Sequence, residues 1–333
     1  MSTSIILHTS QYIRIGNSIL SIENNTLSRG RPKLLKKSDY VKPKTVFKGN
    51  PILAHNYKNS EGIISQFVEN WWMSEKFDGY RAIWNGRCFK SRTNKTFSVP
   101  MWFSRIMPQG IALDGELWLG RGNFEKCGLF RKKRPRNAHK LKLWEEEWAN
   151  AGVVYKAFDI PNSNKPFELR TKLLSRIIKS QQESYFENLE SIRIKCFPLE
   201  FVKQTLVTDR LFLENTFEQI IKDGGEGVML RAPGSLYDQG RSHNLLKYKV
   251  QADTECIIIG YRLSQNNKNT IGAFVCKFNG EGPSFIVGGI NSNIKCNFKE
   301  THPIQSIITI QHNGFTLSGK PRHPRYLRRR YVV

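Results

Sequence analysis

Acidic side chains are scarce in this 333-residue chain: 28 Asp and Glu stand against 52 Lys and Arg, a formal net charge of +24 at pH 7. Such an imbalance favours a polyanionic partner, nucleic acid before any other. Long apolar runs are missing as well. No stretch approaches the roughly 20 residues of a transmembrane helix, so an anionic membrane surface is the only membrane reading left. The six cysteines (Cys88, Cys127, Cys196, Cys256, Cys276 and Cys296) are dispersed, with no Cys-x-x-Cys pair and no histidine cluster nearby. This spacing argues against a structural zinc site and a dense disulfide framework and fits a reducing, intracellular location. The opening "MSTSIILHTSQYIRIG" has no charged segment followed by a long apolar one and no evident cleavage site. A secretory signal is therefore not expected; an organelle transit segment stays open.

Regular βα alternation is absent too, and what replaces it is an α+β pattern with antiparallel sheets. Residues 1–50 lack sustained periodicity and end in "RGRPKLLKKSDYVKPKTVFKGN". They read as a basic, partly disordered arm that either binds nucleic acid or is simply solvated. From Trp71, "WWMSEKF", "YRAIWNG", "RCFKS", "GIALDGELWLG" and "VVYKAFDI" read as strands. "FELRTKLLSRIIKSQQESYFENLESI" has helical spacing at Leu169, Leu173, Leu174 and Ile177, and "DRLFLENTFEQIIKDGG" is a second helix, stopped by Gly224-Gly225. "EGVMLRA" and "NLLKYKV" return to strand. After Val250, "TECIIIGYRL", "IGAFVCKFNG", "PSFIVGGI", "IQSIITIQHNG" and "FTLSGK" are five strand candidates with little helix, which suits a small five-stranded barrel. The boundaries drawn are 1–50, 51–250 and 251–333.

Within "WWMSEKFDGYRAIWNG", Lys76 stands between an acid, an aromatic and an Asp-Gly. Lys-x-Asp-Gly alone is a weak signal, and a surface strand entering a hairpin explains it equally well. Its ordered company changes the reading: "EKFDGYRA" (75–82), "KSRT" (90–93), "LDGELWLGRGNFE" (113–125), "YKAFDIP" (155–161), "GGEGVMLR" (224–231) and "GRSHNLLKYK" (240–249). From about residue 70 to the C-terminus, these segments resemble nucleotidyltransferase motifs I, Ia, III, IIIa, IV and V of the ATP-dependent DNA ligases. The similarity is greatest to the minimal two-domain enzymes, the small bacterial E-type and viral ligases. The resemblance implies an antiparallel-sheet nucleotidyltransferase domain (ATP-grasp-like adenylation) followed by an all-β OB-fold barrel. It also implies ATP and Mg²⁺ or Mn²⁺ as cofactors, nicked duplex DNA as partner, and a monomer with no inferable protein partner.

Elementary chemistry fits that resemblance. A lysine attacking the α-phosphorus of ATP must be neutral, whereas a free lysine at pH 7 is almost wholly protonated. Neighbouring cations or a divalent metal would free its lone pair. Lys247 and Lys249 alternate with Tyr248 and so share one strand face; by similarity they contact the α-phosphate, and otherwise they are a solvated strand face. The resemblance places Glu75, Arg81, Glu116, Phe158 and Arg231 at the nucleotide. In it Arg81 bonds sugar or phosphate, Glu116 the ribose, Phe158 stacks on adenine, and Glu75 helps read the adenine amine. Glu226, Glu116 and Asp78 are the metal-binding candidates, hard oxygen donors of the kind Mg²⁺ takes. Asp114 and Asp159 are weaker candidates that serve equally as turn or strand-end acids. Arg92, Arg121, Arg325 and Arg328 are the nucleic-acid candidates, with "FRKKRPRNAHKLK" (130–142) and "PRHPRYLRRR" (321–330) as further phosphate contacts. Within the superfamily an RNA ligase or an mRNA capping guanylyltransferase is the rival reading, and outside it a non-catalytic basic nucleic-acid-binding protein.

Overall fold

The structure is a computed structural model that describes the backbone of residues 11–15 and 18–22 and, in full, residues 46–58, 64, 66–187, 197–250, 252–265, 267–279 and 281–330. The chain divides into two units after Tyr248. Most of the expected N-terminal arm, and Cys196, lie outside the described residues. Within the arm, β1 (Gln11–Ile15) and β2 (Ser18–Ile22) form an antiparallel ladder that no periodicity announces.

The first unit carries two five-stranded sheets. One has the order β10-β4-β11-β12-β3, where β3 is Ile52–Asn56, β4 Trp72–Glu75, β10 Thr205–Leu206, β11 Gly227–Arg231 and β12 Gly240–Lys249. The other has the order β6-β5-β7-β8-β9, where β5 is Tyr80–Trp84, β6 Phe89–Ser91, β7 Leu113–Trp118, β8 Val154–Asp159 and β9 Leu199–Phe201. Antiparallel pairing dominates as expected, but each sheet also has one parallel edge, β12 with β3 and β8 with β9. Those edge partners come from distant parts of the chain, so no hairpin signal marks them.

Strand alternation decides what each sheet buries. Ala82 and Trp84 of β5, Leu113 and Leu117 of β7, and Tyr155 and Ala157 of β8 pack into one aromatic-rich core. That core is closed by α1 (Met101–Arg105), α2 (Ala138–Asn150) and α3 (Phe167–Glu187) through Phe103, Trp144, Trp148, Leu174 and Ile177. Leu169, counted in the apolar stripe of α3, is instead 47% exposed. Helix α2 is a correction to the sequence reading, which saw in residues 130–142 only a cationic run. Asn137 caps it by accepting from Lys140 N at 3.1 Å, and Trp144 and Trp148, one turn apart, supply its buried stripe. On the first-listed sheet, Met73, Val228, Leu230, Leu246 and Tyr248 face α4 (Arg210–Lys222), whose Leu213 and Phe217 complete a second core. Asp209 caps α4 through Phe212 N at 2.8 Å.

The second unit has one sheet of order β15-β14-β13-β16-β17: β13 Ala252–Leu263, β14 Ile271–Phe278, β15 Glu281–Val287, β16 Ile307–His312 and β17 Arg325–Arg329. Two short helices, α5 (Ser292–Cys296) and α6 (Phe298–Thr301), separate β15 from β16. Its two edges meet at one parallel bridge, Gly288 with Arg325, and Tyr326 N donates to Gly288 O at 2.8 Å. The fifth strand is not "FTLSGK". That segment is a tight turn closed by Thr316 N to Lys320 O at 2.8 Å, with Gly319 at φ +75°. The strand is the cationic run after it, because Tyr326 packs on the core of this sheet while Arg325 and Arg328 remain exposed.

Candidate active site

The site lies between the two sheets of the first unit, on the faces turned away from their apolar cores. Lys76 follows β4 directly, and its backbone N–H donates to Gly227 O at 2.8 Å, which ties it to the start of β11. Its Nζ forms an ion pair with Glu226, the residue just before β11; the two side chains are 23% and 19% exposed. The charge nearest the lysine is thus a carboxylate, not the cations expected from the sequence. The following Asp78-Gly79 lies at the bend that leads from β4 into β5. A Cβ on Gly79 would stand 2.3 Å from Leu117 O, so glycine is needed for the close approach of this segment to β7. Asp78 is half-buried on that segment.

Register places Arg81, Glu116 and Lys156 in one row across β5, β7 and β8. Glu116 is half-buried between the sheets, and its pKa is pushed up to about 8. Loss of solvation is the largest cause; Lys76 and Arg81 oppose it, while Glu226 and Asp114 add to it. Those opposing charges bring Lys76, Glu116 and Glu226 into one electrostatic neighbourhood. Arg81 forks onto Asp114, Nε to Oδ1 at 2.6 Å and Nη2 to Oδ2 at 2.5 Å, and also donates to Ile52 O at 3.2 Å. Burial works against the Arg81 charge, and Asp114 more than restores it. The Arg81 guanidinium stands 4.9 Å from the centre of the half-buried Phe158 ring. Tyr237 donates to Asp114 Oδ2 at 2.5 Å and accepts from Ile52 N at 3.2 Å.

Asp159 is fully buried and does more than end a strand. It accepts from Arg170 Nε at 2.6 Å, from Arg231 Nη2 at 3.0 Å and from Ile160 N at 2.8 Å. Arg231, expected at the nucleotide, is 4% exposed and belongs to this lattice. Burial first, then Arg170, lower its pKa, and its Nη1 is buried with no hydrogen-bond partner among the described residues. The lattice stitches β8 to β11 and reaches the loop after β11, where Arg170 Nη1 donates to Ser235 O at 2.9 Å.

Other expected residues fall elsewhere. Glu75 and Arg121, assigned to adenine and to DNA, are paired with each other: Nε to Oε1 and Nη2 to Oε2, both at 2.9 Å. Lys247 is half-buried on β12, on the face opposite the buried Leu246 and Tyr248. Lys249 begins the second unit, where its Nζ donates to Asn313 Oδ1. Arg325 and Arg328 are exposed on β17, and Arg92 is exposed on the turn after the edge strand β6. Sequence reasoning missed Lys156, Arg170 and Tyr237. Alternation along "VYKAFD" puts Lys156 on the face of Phe158 and could have flagged it; nothing local marks Arg170 or Tyr237.

No cluster of three or more metal-ligating side chains occurs among the described residues. Glu116 and Glu226 still fit Mg²⁺, which takes one or two carboxylates and completes its shell with water and phosphate oxygens. The Glu226 charge adds to the rise caused by burial of Glu116, and a cation between the two carboxyls would relieve that part.

The pattern of relatives agrees with this arrangement. A family described as "ATP dependent DNA ligase domain" matches residues 51–249, and "DNA ligase OB-like domain" matches residues 264–330. A DNA ligase of Haemophilus influenzae is 32% identical over 280 residues, covering 83% of this chain and 91% of its own. A structure from a study of DNA binding with a minimal scaffold by Lig E DNA ligases superposes with a TM-score of 0.68 at 28% identity. It covers 85% of this chain and is itself covered completely. Pmar-Lig_PreS3, at 17% identity and a TM-score of 0.65, shares the fold over 84% of this chain and 67% of its own. With Lys76, Glu116 and Glu226 brought together between the sheets of the first unit and an OB-like unit after it, the chain belongs to the ATP-dependent DNA ligases.

Proposed function

We propose that this DNA ligase seals nicks bearing a 5′-phosphate and a 3′-hydroxyl in duplex DNA through a lysyl-AMP at Lys76. The observation that carries the reading is the Lys76–Glu226 ion pair in the electrostatic neighbourhood of the half-buried Glu116. Lys76 Nζ attacks the α-phosphorus of ATP; the P–N bond forms as the bond to pyrophosphate breaks. The proton lost by the ammonium has an acceptor at hand, the Glu226 carboxylate already hydrogen-bonded to it. AMP then passes from Lys76 to the 5′-phosphate of the nick. The 3′-hydroxyl attacks that phosphate, closes the phosphodiester and releases AMP. Positioning and electrostatics supply most of the catalysis in such transfers.

Phe158 offers the adenine a ring whose cationic neighbour, Arg81, is held by Asp114. Lys247 and Lys249 are assigned to the α-phosphate, and Arg92, Arg325 and Arg328 to DNA phosphates. Mg²⁺ held by Glu116 and Glu226, with Asp78 as a further candidate, would neutralise phosphate charge. Arg231 supports the site through Asp159. The protein acts as a monomer inside the cell.

Incubation with α-labelled ATP tests the reading. The wild-type chain acquires a covalent label, and Lys76→Ala acquires none and does not seal nicked DNA. Sealing by Lys76→Ala sinks the assignment; label from GTP and none from ATP points to a capping guanylyltransferase.

A further inference from the structure

Arg121 has two conceivable roles: an exposed arginine awaiting DNA, or a group already engaged in the site. The two N–H groups of its fork bind both oxygens of Glu75, each at 2.9 Å. Its third nitrogen, Nη1, donates to Asp223 O at 3.3 Å and lies 3.7 Å from Asp223 Oδ2. Three separate segments meet at this guanidinium. Glu75 is the residue before Lys76. Asp223 opens the turn that delivers Glu226 to the lysine. Arg121 itself is on the loop that leaves β7, five residues past Glu116. That loop is held tightly, with Gly120 and Gly122 on either side of the arginine at φ +93° and +72°, and Asn123 Nδ2 donating to Leu119 O at 3.0 Å. The receiving turn is also fixed. Gly225 N donates to Ile220 O at 2.8 Å, and a Cβ on Gly225 would come within 3.2 Å of Glu75 Oε1.

We propose that Arg121 is a positioning residue of the first chemical step: by clasping Glu75 and the Asp223 turn, it sets the distance between Lys76 and Glu226. This rests on the reading of Lys76 as the nucleophile. A planar fork with two parallel donors and a third to spare is a property of arginine alone, which is why lysine cannot replace it. An exposed ion pair stabilises a fold by little. The effect therefore belongs on the rate of adenylation, where small misplacements of reacting groups cost about a hundredfold. Because both oxygens of Glu75 face the guanidinium, the two residues act as one unit.

The test is single-turnover formation of lysyl-AMP from saturating ATP, without DNA, for Arg121→Gln, Arg121→Lys, Glu75→Gln and the double variant. Arg121→Gln is expected to slow the step about 10–100-fold at saturating ATP while the melting temperature barely moves. Arg121→Lys should recover only a small part. The double variant should be no slower than the worse single one, as coupled residues require. Sealing of a nick already carrying AMP, which bypasses Lys76 adenylation, should change less than about threefold. The salt dependence of nick binding should also keep its slope. A phosphate contact by Arg121 predicts the opposite: normal lysyl-AMP formation and a slope shallower by about 0.9. That result, or additive losses in the double variant, overturns the proposal. Lys76→Ala assayed alongside separates the two readings. If Lys76→Ala stays unlabelled while Arg121→Gln labels at the wild-type rate, the nucleophile stands and only the clasp falls.

Discussion

The two faces of the sheet β6-β5-β7-β8-β9 are built from the same strands and obey opposite rules. One face gives Trp84, Leu113, Leu117, Tyr155 and Ala157 to a core closed by Phe89, Phe103, Phe130 and Trp148, every one of them at most 2% exposed. The other gives Arg81, Asp114, Glu116, Lys156 and Asp159 to the space between the sheets, where each charge requires a partner. An apolar filling of the second face would be at least as stable, since burying paired charges seldom repays their desolvation. The difference teaches where the fold has been given up to chemistry. The aromatic face holds the sheet together, and the charged face holds its reagents in place at some cost in stability.

Removing one member of the charged face should break that contrast most severely. Asp159→Ala leaves Arg170 and Arg231 buried without their carboxylate, and the loss should be about 3–5 kcal/mol, read by urea unfolding. A loss under 1 kcal/mol would mean that the lattice contributes no structural restraint. On the opposite face, Phe103→Ala vacates a site between Phe89 and Trp148 and should also remove about 3–5 kcal/mol. It should leave the rate of lysyl-AMP formation in the remaining folded protein unchanged, and a tenfold drop would erase the division between the faces.

Smaller effects sharpen the comparison. Tyr237→Phe deletes the hydrogen bond to the buried Asp114 carboxylate and the one accepted from Ile52 N, and should cost about 2 kcal/mol, with Arg81 still paired to Asp114. The pH response of Glu116 tests the charged face in a second way. Its pKa is raised in the folded chain, so its contribution is fully present below its unfolded value. That contribution is lost as pH rises through about 8. Thermal stability of the nucleotide-free protein should therefore decline relative to Glu116→Gln between about pH 5 and 8. Parallel pH profiles for the two proteins would show that Glu116 is not confined as its surroundings imply.

Much of the site could be read in the chain itself. Lys76, Glu116 and Glu226 stand in short, ordered motifs whose residue types already suit phosphoryl transfer, and they meet between the sheets. The roles of Arg121, Arg231 and Asp159 could not be read in this way. An arginine among 52 cations carries no mark of its partner, and the carboxylates that claim these two lie 46 and 72 residues away. The last strand of the second unit was missed for a related reason. Its cationic composition obscured the alternation that seats Tyr326 on the core, while "FTLSGK" mimicked a strand until its turn bonds were seen.

The chain's own pattern carried the order of an α+β part followed by a strand-rich one, the strand faces and the candidate nucleophile. These follow from periodicity and from local residue chemistry, which the chain carries at every position. Only the tertiary structure decided which charge each buried group meets. It paired Lys76 with a carboxylate, raised the Glu116 pKa and gave Arg121 to Glu75, because electrostatics depends on through-space neighbours and on exclusion of water, and neither is written along the chain.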